Sequence, residues 1–224
     1  MRARRPRRGF TLVELLVAIA VMALLAVLSW RGLDGMTRAQ AQTRQRADEL
    51  LSLQAALAQW SADLDALVQT PQLSAIDWDG RVLRITRRST APDAEGPLVV
   101  AWSRRSIGGQ GQWLRWQSPP LRSRDDLQQA WSLAALWAQN PGDEEKKREV
   151  VIAPLQDWQI FFFRGNAWTN PLSSEGAAPG ATAPPAITAV PDGLRLVLTL
   201  PEGQALSGRL MRDWVRPTVG GGKS

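Results

Sequence analysis

The spacing of apolar positions changes twice along the chain. From Phe10 to Leu28 (FTLVELLVAIAVMALLAVL) there is no period at all: the 19 residues are apolar apart from one charge, Glu14. As a helix this run extends roughly 29 Å, close to the ~30 Å core of a bilayer. From Ser29 to Gln69 no proline interrupts and helix formers dominate. Residues 37–49 are polar all round, which predicts a solvated stretch. Leu50, Leu53, Leu57, Trp60, Leu64 and Leu67 then follow a helical 3-4-3-4-3 spacing, an apolar stripe suited to packing on a domain. Gly32 and Gly35 are candidate bending points, and Thr70-Pro71 is the expected stop.

Beyond Pro71 the period falls to two. Strand-type runs occupy Arg81–Arg87, Leu98–Ser103, Gln112–Gln117, Glu149–Ala153 and Gln156–Arg164. A helix is expected at Asp125–Gln139, acidic at its start and stopped by Asn140-Pro141-Gly142. Leu194, Leu196, Leu198 and Leu200 alternate with Arg195, Val197 and Thr199, and Pro201-Glu202-Gly203 turns this strand into a hairpin with Leu206–Met211. Residues 171–191 hold 5 Pro, 6 Ala and 2 Gly, the composition of a surface loop. The predicted class is α+β: a long N-terminal helix, half of it transmembrane, packed on an antiparallel β-sheet domain.

Composition narrows the chemistry. The 224 residues include no Cys, His or Tyr, which excludes Ser-His-Asp and Cys-His catalysis and the usual zinc ligand sets. Eleven Trp point to several packed aromatic anchors. The net charge of +6 is concentrated in one place. Arg2, Arg4, Arg5, Arg7 and Arg8 supply five positive charges; without them 22 basic residues face 21 acidic ones. The body is nearly neutral.

A basic tip followed by an apolar run suits a secretory signal peptide or a signal anchor. The run is too long for the first, and Leu28-Ser29-Trp30-Arg31 is a poor cleavage site. A plain anchor leaves Glu14 unexplained, since an ionisable group in a membrane helix costs a few kcal/mol. Arg8-Gly9-Phe10-Thr11-Leu12-Val13-Glu14 resembles the processing motif of the type IV prepilin superfamily. That resemblance implies cleavage after Gly9 by a membrane-embedded prepilin peptidase, N-methylation at Phe10, and Glu14 as the assembly charge partner of the new amine, in the same or a neighbouring subunit. The physical logic is consistent: glycine has no Cβ to obstruct a protease, and a carboxylate one turn on can offset an ammonium.

Further segments resemble the J-type minor pseudopilins of type II secretion: Trp30-Arg31-Gly32-Leu33-Asp34, the helix end around Trp60–Leu67 with Asp63, and the pattern Phe161–Arg164, Gly165-Asn166-Ala167-Trp168, loop, Val190-Pro191 and closing hairpin. The resemblance implies a cleaved leader at 1–9, a transmembrane helix at 10–30, its continuation at 31–70, a periplasmic β-rich domain at 71–216 and a flexible tail at 217–224. It implies a structural component of a pseudopilus tip in the bacterial inner membrane, single-pass with its C-terminal domain periplasmic. The implied partners are I- and K-type minor pseudopilins, the major pseudopilin and the peptidase/methyltransferase; the residues themselves lead to no expectation of nucleic acid, cofactor or metal. The alternative is a minor pilin of a type IV pilus. A different class, a periplasmic enzyme working with two carboxylates, finds no recognisable acid pair or cofactor fingerprint.

Three features could mislead. Gly220-Gly221-Gly222-Lys223-Ser224 imitates a phosphate loop but has Pro217 where a glycine belongs. Trp102, Arg104, Arg105, Trp113, Arg115 and Trp116 mix aromatic and basic residues as a single-strand surface does; strands with tryptophans inside and arginines solvated give the same pattern. Asp77 and Asp79 could meet Ca²⁺, but two carboxylates are too few. Asp143–Arg148 is a mixed charge run, expected to be a solvated loop.

Overall fold

A computed structural model describes residues 9–69, 74–90, 96–172 and 190–217. Its contacts divide the chain into two units, one ending at Asp48 and the other beginning at Glu49. Helix α1 (Leu12–Asp65) supplies nearly all of the described first unit. It contributes its last turns, from Glu49 onward, to the second.

In the first unit the apolar residues have nothing to pack on. Leu12, Val13, Leu16, Met22, Leu24 and Leu28 are all more than half exposed. A contiguous apolar surface of this length is incompatible with water and matches a lipid solvent. The backbone polar groups are satisfied within the helix, the condition a lone spanning segment has to meet.

The second unit is built on two antiparallel sheets. The first contains β1 (Ile76–Trp78), β2 (Val82–Arg88), β3 (Pro97–Ile107), β4 (Gln110–Gln117) and β5 (Glu149–Pro154), in that spatial order. The second, of β6 (Asp157–Arg164), β7 (Ala167–Thr169), β8 (Gly193–Leu200) and β9 (Gly208–Val215), runs β7-β6-β8-β9. Strands β3 and β4 meet at Ile107↔Gln110 across Gly108 and Gly109, both at positive φ (59° and 83°). A two-residue hairpin of this hand requires positive φ at both positions, which glycine adopts without strain.

The apolar stripe of α1 is the axis of the main core. Leu53, Ala56, Trp60 and Leu64 are buried against Ile76, Leu83, Ile85, Val100, Trp102 and Trp113 of the first sheet and Ile160, Phe162, Leu194, Leu196 and Leu198 of the second. Helix α2 (Arg124–Gln139) covers the opposite face of the first sheet, burying Leu127, Trp131, Ala134 and Trp137 on Val99, Ala101, Leu114 and Trp116. Its start is a capping box. The Ser123 hydroxyl accepts from the Asp126 N–H at 3.0 Å, and the Asp126 carboxylate accepts from the Ser123 N–H at 3.0 Å.

Several boundaries differ from expectation. Helix α1 stops at Asp65, before Thr70-Pro71, which lie outside the described residues. Leu67 bridges Arg87, and the Val68 N–H donates to the Thr86 carbonyl, so strand pairing captures the chain before proline can end the helix. The last hairpin strand spans Gly208–Val215 rather than Leu206–Met211. Strands β1 and β7, three residues each, are too short for periodicity to register. Asp143–Lys146 forms one helical turn, α3, where a loop was expected. On β8 the leucine face is buried as read, but Val197 on the other face is also buried. The Pro/Ala-rich loop lies, but for its ends, outside the described residues, as does the glycine-rich tail.

Candidate processing site and the buried charge cluster

Gly9 and Phe10 precede the helix in non-helical, exposed backbone. No atom of the described residues lies within 4 Å of where a Cβ on Gly9 would point, so nothing among them requires glycine there. Phe10 is 86 % exposed. The next residue caps the helix. Thr11 Oγ1 accepts from the Glu14 N–H at 3.3 Å, while Glu14 Oε2 accepts from the Thr11 N–H at 3.0 Å and the Thr11 hydroxyl at 2.9 Å. This reciprocal pairing is a capping box. It fixes the first helical residue at Leu12 and leaves the Gly9–Phe10 peptide bond outside the helix. The structure thus brings Gly9, Phe10 and Glu14 into one short segment. It also adds Thr11, for which the T-x-x-E spacing was itself a legible signal.

The second arrangement of note lies at the other end of α1. Asp63 is fully buried and receives five donors. Arg87 Nη1 donates to Oδ1, Gln59 Nε2 to Oδ1 at 2.8 Å and the Trp102 indole to Oδ2 at 2.9 Å. Arg115 adds a bidentate pair, Nε to Oδ2 at 2.8 Å and Nη2 to Oδ1 at 2.9 Å. A carboxylate removed from water on this scale persists as an ion only when its oxygens are saturated by charged donors. The cluster ties α1 to β2, β3 and β4 at once. It also carries one more positive charge than negative, two guanidinium groups facing one carboxylate.

These contacts correct one sequence reading. Trp102, Trp113 and Trp116 are core residues, as the plainer account had it, but the arginines between them are not free in solvent. Arg115 serves Asp63. Arg105 Nη2 grips Glu149 at 2.8 and 2.7 Å, joined by the Trp137 indole at 2.7 Å. Of the possible calcium ligands, Asp77 is paired with Arg84, and Asp79 Oδ1 accepts the Arg81 and Val82 N–H groups at 2.9 Å each, an Asx-type turn.

Comparison with known proteins adds a third line. The sequence profile described as a prokaryotic N-terminal methylation motif matches residues 4–30. Type II secretion system protein J of Vibrio cholerae serotype O1 is 23 % identical over 195 residues, covering 80 % of each chain. Type II secretion system protein J of Klebsiella pneumoniae is 36 % identical over 64 residues, 29 % of this chain and 32 % of that protein. The exposed apolar helix, the non-helical Gly9–Phe10 bond and the α+β body agree with these matches. The chain is therefore prepilin-like at its N-terminus and similar, over most of its length, to type II secretion J proteins.

Proposed function

We propose that this chain is a minor pseudopilin of a type II secretion system, a structural component of the pseudopilus tip. On this reading residues 1–9 are a leader cut after Gly9 by a prepilin peptidase, and Phe10 becomes the N-methylated first residue. Residues 10–30 span the inner membrane, 31–70 continue toward the body, and 71–216 form a periplasmic domain. Its partners are the I- and K-type minor pseudopilins and the major pseudopilin, and its role is assembly rather than catalysis.

One observation carries the reading: a methylation motif at residues 4–30 stands on a chain that is similar to protein J across 80 % of both lengths. Pilin-type N-termini occur on many bodies, and fold alone does not decide function; it is their combination that favours secretion over a pilus. The mechanism is mechanical. An apolar helix lets the subunit rest in the bilayer until it is extracted into an assembly, and Glu14 offers a counter-charge to a Phe10 ammonium inside that assembly.

The test is complementation. In a type II secretion strain lacking its J subunit, the full chain should be processed, co-isolate with the I- and K-type subunits and restore export. Processing without co-isolation or export, together with incorporation into a type IV pilus, would replace this reading with the minor-pilin one.

A further inference from the structure

Strand β5 closes the first sheet, and beyond it no strand follows among the described residues. Its valines are bare: Val150 is 58 % and Val151 51 % exposed. The register places Trp102 opposite Arg115 and Arg115 opposite Val150, so all three side chains share the face that α1 covers. The helix covers Trp102 completely but leaves Val150 open. The result is a groove of about 350 Å³ between α1 and β5. Ser52, Ala55 and Ala56 line its helical wall, small residues that allow close approach. Arg115 lies on its floor.

That arginine is not spent on its partners. Its Nε and Nη2 serve Asp63 and Gln117, whereas Nη1 donates to no described residue. The cluster beneath has two guanidinium groups, Arg87 and Arg115, for the single carboxylate of Asp63. Glu149, the acidic residue of β5, is engaged by Arg105 and Trp137, with its register partner Trp116 on the α2 side of the sheet. The edge strand β5 has no further strand beside it among the described residues, although the Ser52 hydroxyl donates to its Ile152 carbonyl at 3.2 Å. This edge, a wall that includes Ala55 and Ala56, and an arginine on the floor that belongs to a cluster with one surplus positive charge select one kind of guest. Backbone pairing draws in an extended chain, and the surplus positive charge favours a carboxylate on it.

We infer that the α1/β5 groove is a docking site for an extended, carboxylate-bearing segment of another protein, which adds a strand to β5 and places an Asp or Glu side chain on Arg115. The site lies wholly in the second unit and does not depend on the pseudopilin reading. It also makes no use of Gly9, Phe10 or Glu14.

The test uses the full chain in detergent and a labelled seven-residue peptide alternating threonine and valine around a central glutamate, followed by anisotropy. The glutamate peptide should bind about tenfold or more tightly than its glutamine counterpart, and it should slow hydrogen exchange at the amides of Val150–Ile152. Arg115→Gln should abolish the preference for glutamate while leaving Asp63 paired with Arg87. Ala55→Leu, an exposed position that fills the groove from the helix side, should weaken both peptides. Equal binding of the two peptides, unchanged exchange on β5, or full binding by Ala55→Leu each overturns the inference, as does no binding of the glutamate peptide at about 1 mM. Should Arg115→Gln prove unfolded, the peptide pair, the exchange data and Ala55→Leu still decide the matter.

Discussion

Arg115 holds Asp63 in a bidentate grip, Nε to Oδ2 at 2.8 Å and Nη2 to Oδ1 at 2.9 Å, although 52 residues separate the two in sequence. Together with the more deeply buried Arg87–Asp63 pair, this grip joins the helix to the sheet through charge. The pair implies an asymmetry between its partners. Asp63→Ala strands the buried Arg87 guanidinium and the half-buried one of Arg115 and should cost about 3–5 kcal/mol, enough to unfold the body. Arg115→Gln leaves Asp63 neutralised by Arg87 and should cost distinctly less. Chemical unfolding midpoints of the two variants check the order; an Asp63→Ala protein as stable as Arg115→Gln would contradict it.

Two fully buried tryptophans offer a sharper comparison. The Trp102 indole donates to Asp63 at 2.9 Å, while the Trp60 indole N–H, equally buried, has no partner among the described residues. Replacing either by phenylalanine removes similar volume. Only Trp102→Phe also removes a hydrogen bond to a charged acceptor, worth about 1.5–3 kcal/mol. Trp102→Phe should therefore be the more destabilising by roughly that amount, as unfolding curves of the two variants would show.

At the N-terminus, Gly9→Ala should block leader removal. No described residue lies within 4 Å of a Cβ placed on Gly9, so the substitution leaves the packing of the described residues intact, and a block points to the peptidase site. Mass spectrometry of protein recovered from membranes should find wild type beginning at N-methylated Phe10 and the variant uncut. An intact leader on wild type beside an active peptidase would remove the processing claim.

Glu14→Ala should still be cut but should fail to assemble, because a Phe10 ammonium in an apolar setting loses its counter-charge. The capping box supplies a control. Glu14 also receives two hydrogen bonds from Thr11, so its loss weakens the helix start by about 1 kcal/mol. Thr11→Ala removes the cap and keeps the charge. If export fails with Glu14→Ala and survives Thr11→Ala, the charge is what matters; equal defects would assign Glu14 to capping alone.

On the second sheet, the Arg195 guanidinium hydrogen-bonds Asp213 at 2.8 and 2.7 Å and holds its carboxyl below the usual carboxylate range. A depressed folded value means the pair stabilises the fold above the unfolded carboxylate pKa of about 3.9, and that the contribution disappears as pH falls through the lower folded value. Asp213→Asn should flatten the acid limb of a stability–pH profile in that window and lower the neutral plateau by the same small amount, since both groups are partly solvated.

Much of this protein was legible because its signals are local. A 19-residue apolar run with one glutamate has few physical homes, and the 3-4 stripe from Leu50 to Leu64 identified the packed face of α1 because a helix repeats every 3.6 residues, although Leu67 at its expected end lies beyond the helix. The alternating leucines of β8 and the helix at α2 were found the same way. The end of α1 was not: proline at position 71 marks where a helix has to have stopped, while pairing with β2 stops it earlier. Strands of three residues carry no period to detect.

What only tertiary structure decided is which charges meet. Sequence spacing predicted solvated arginines on β3 and β4, because alternate residues on a strand usually face water. Here Arg115 shares its face with buried Trp113 and points at Asp63, since α1 covers that face and supplies a carboxylate 52 residues away. Local propensity and period depend on neighbours in the chain, so the sequence exposes them; partner choice depends on how two elements cross. The same is true of the open end of the groove. Val150 reads only as part of a strand, and it is bare because the helix does not extend over it.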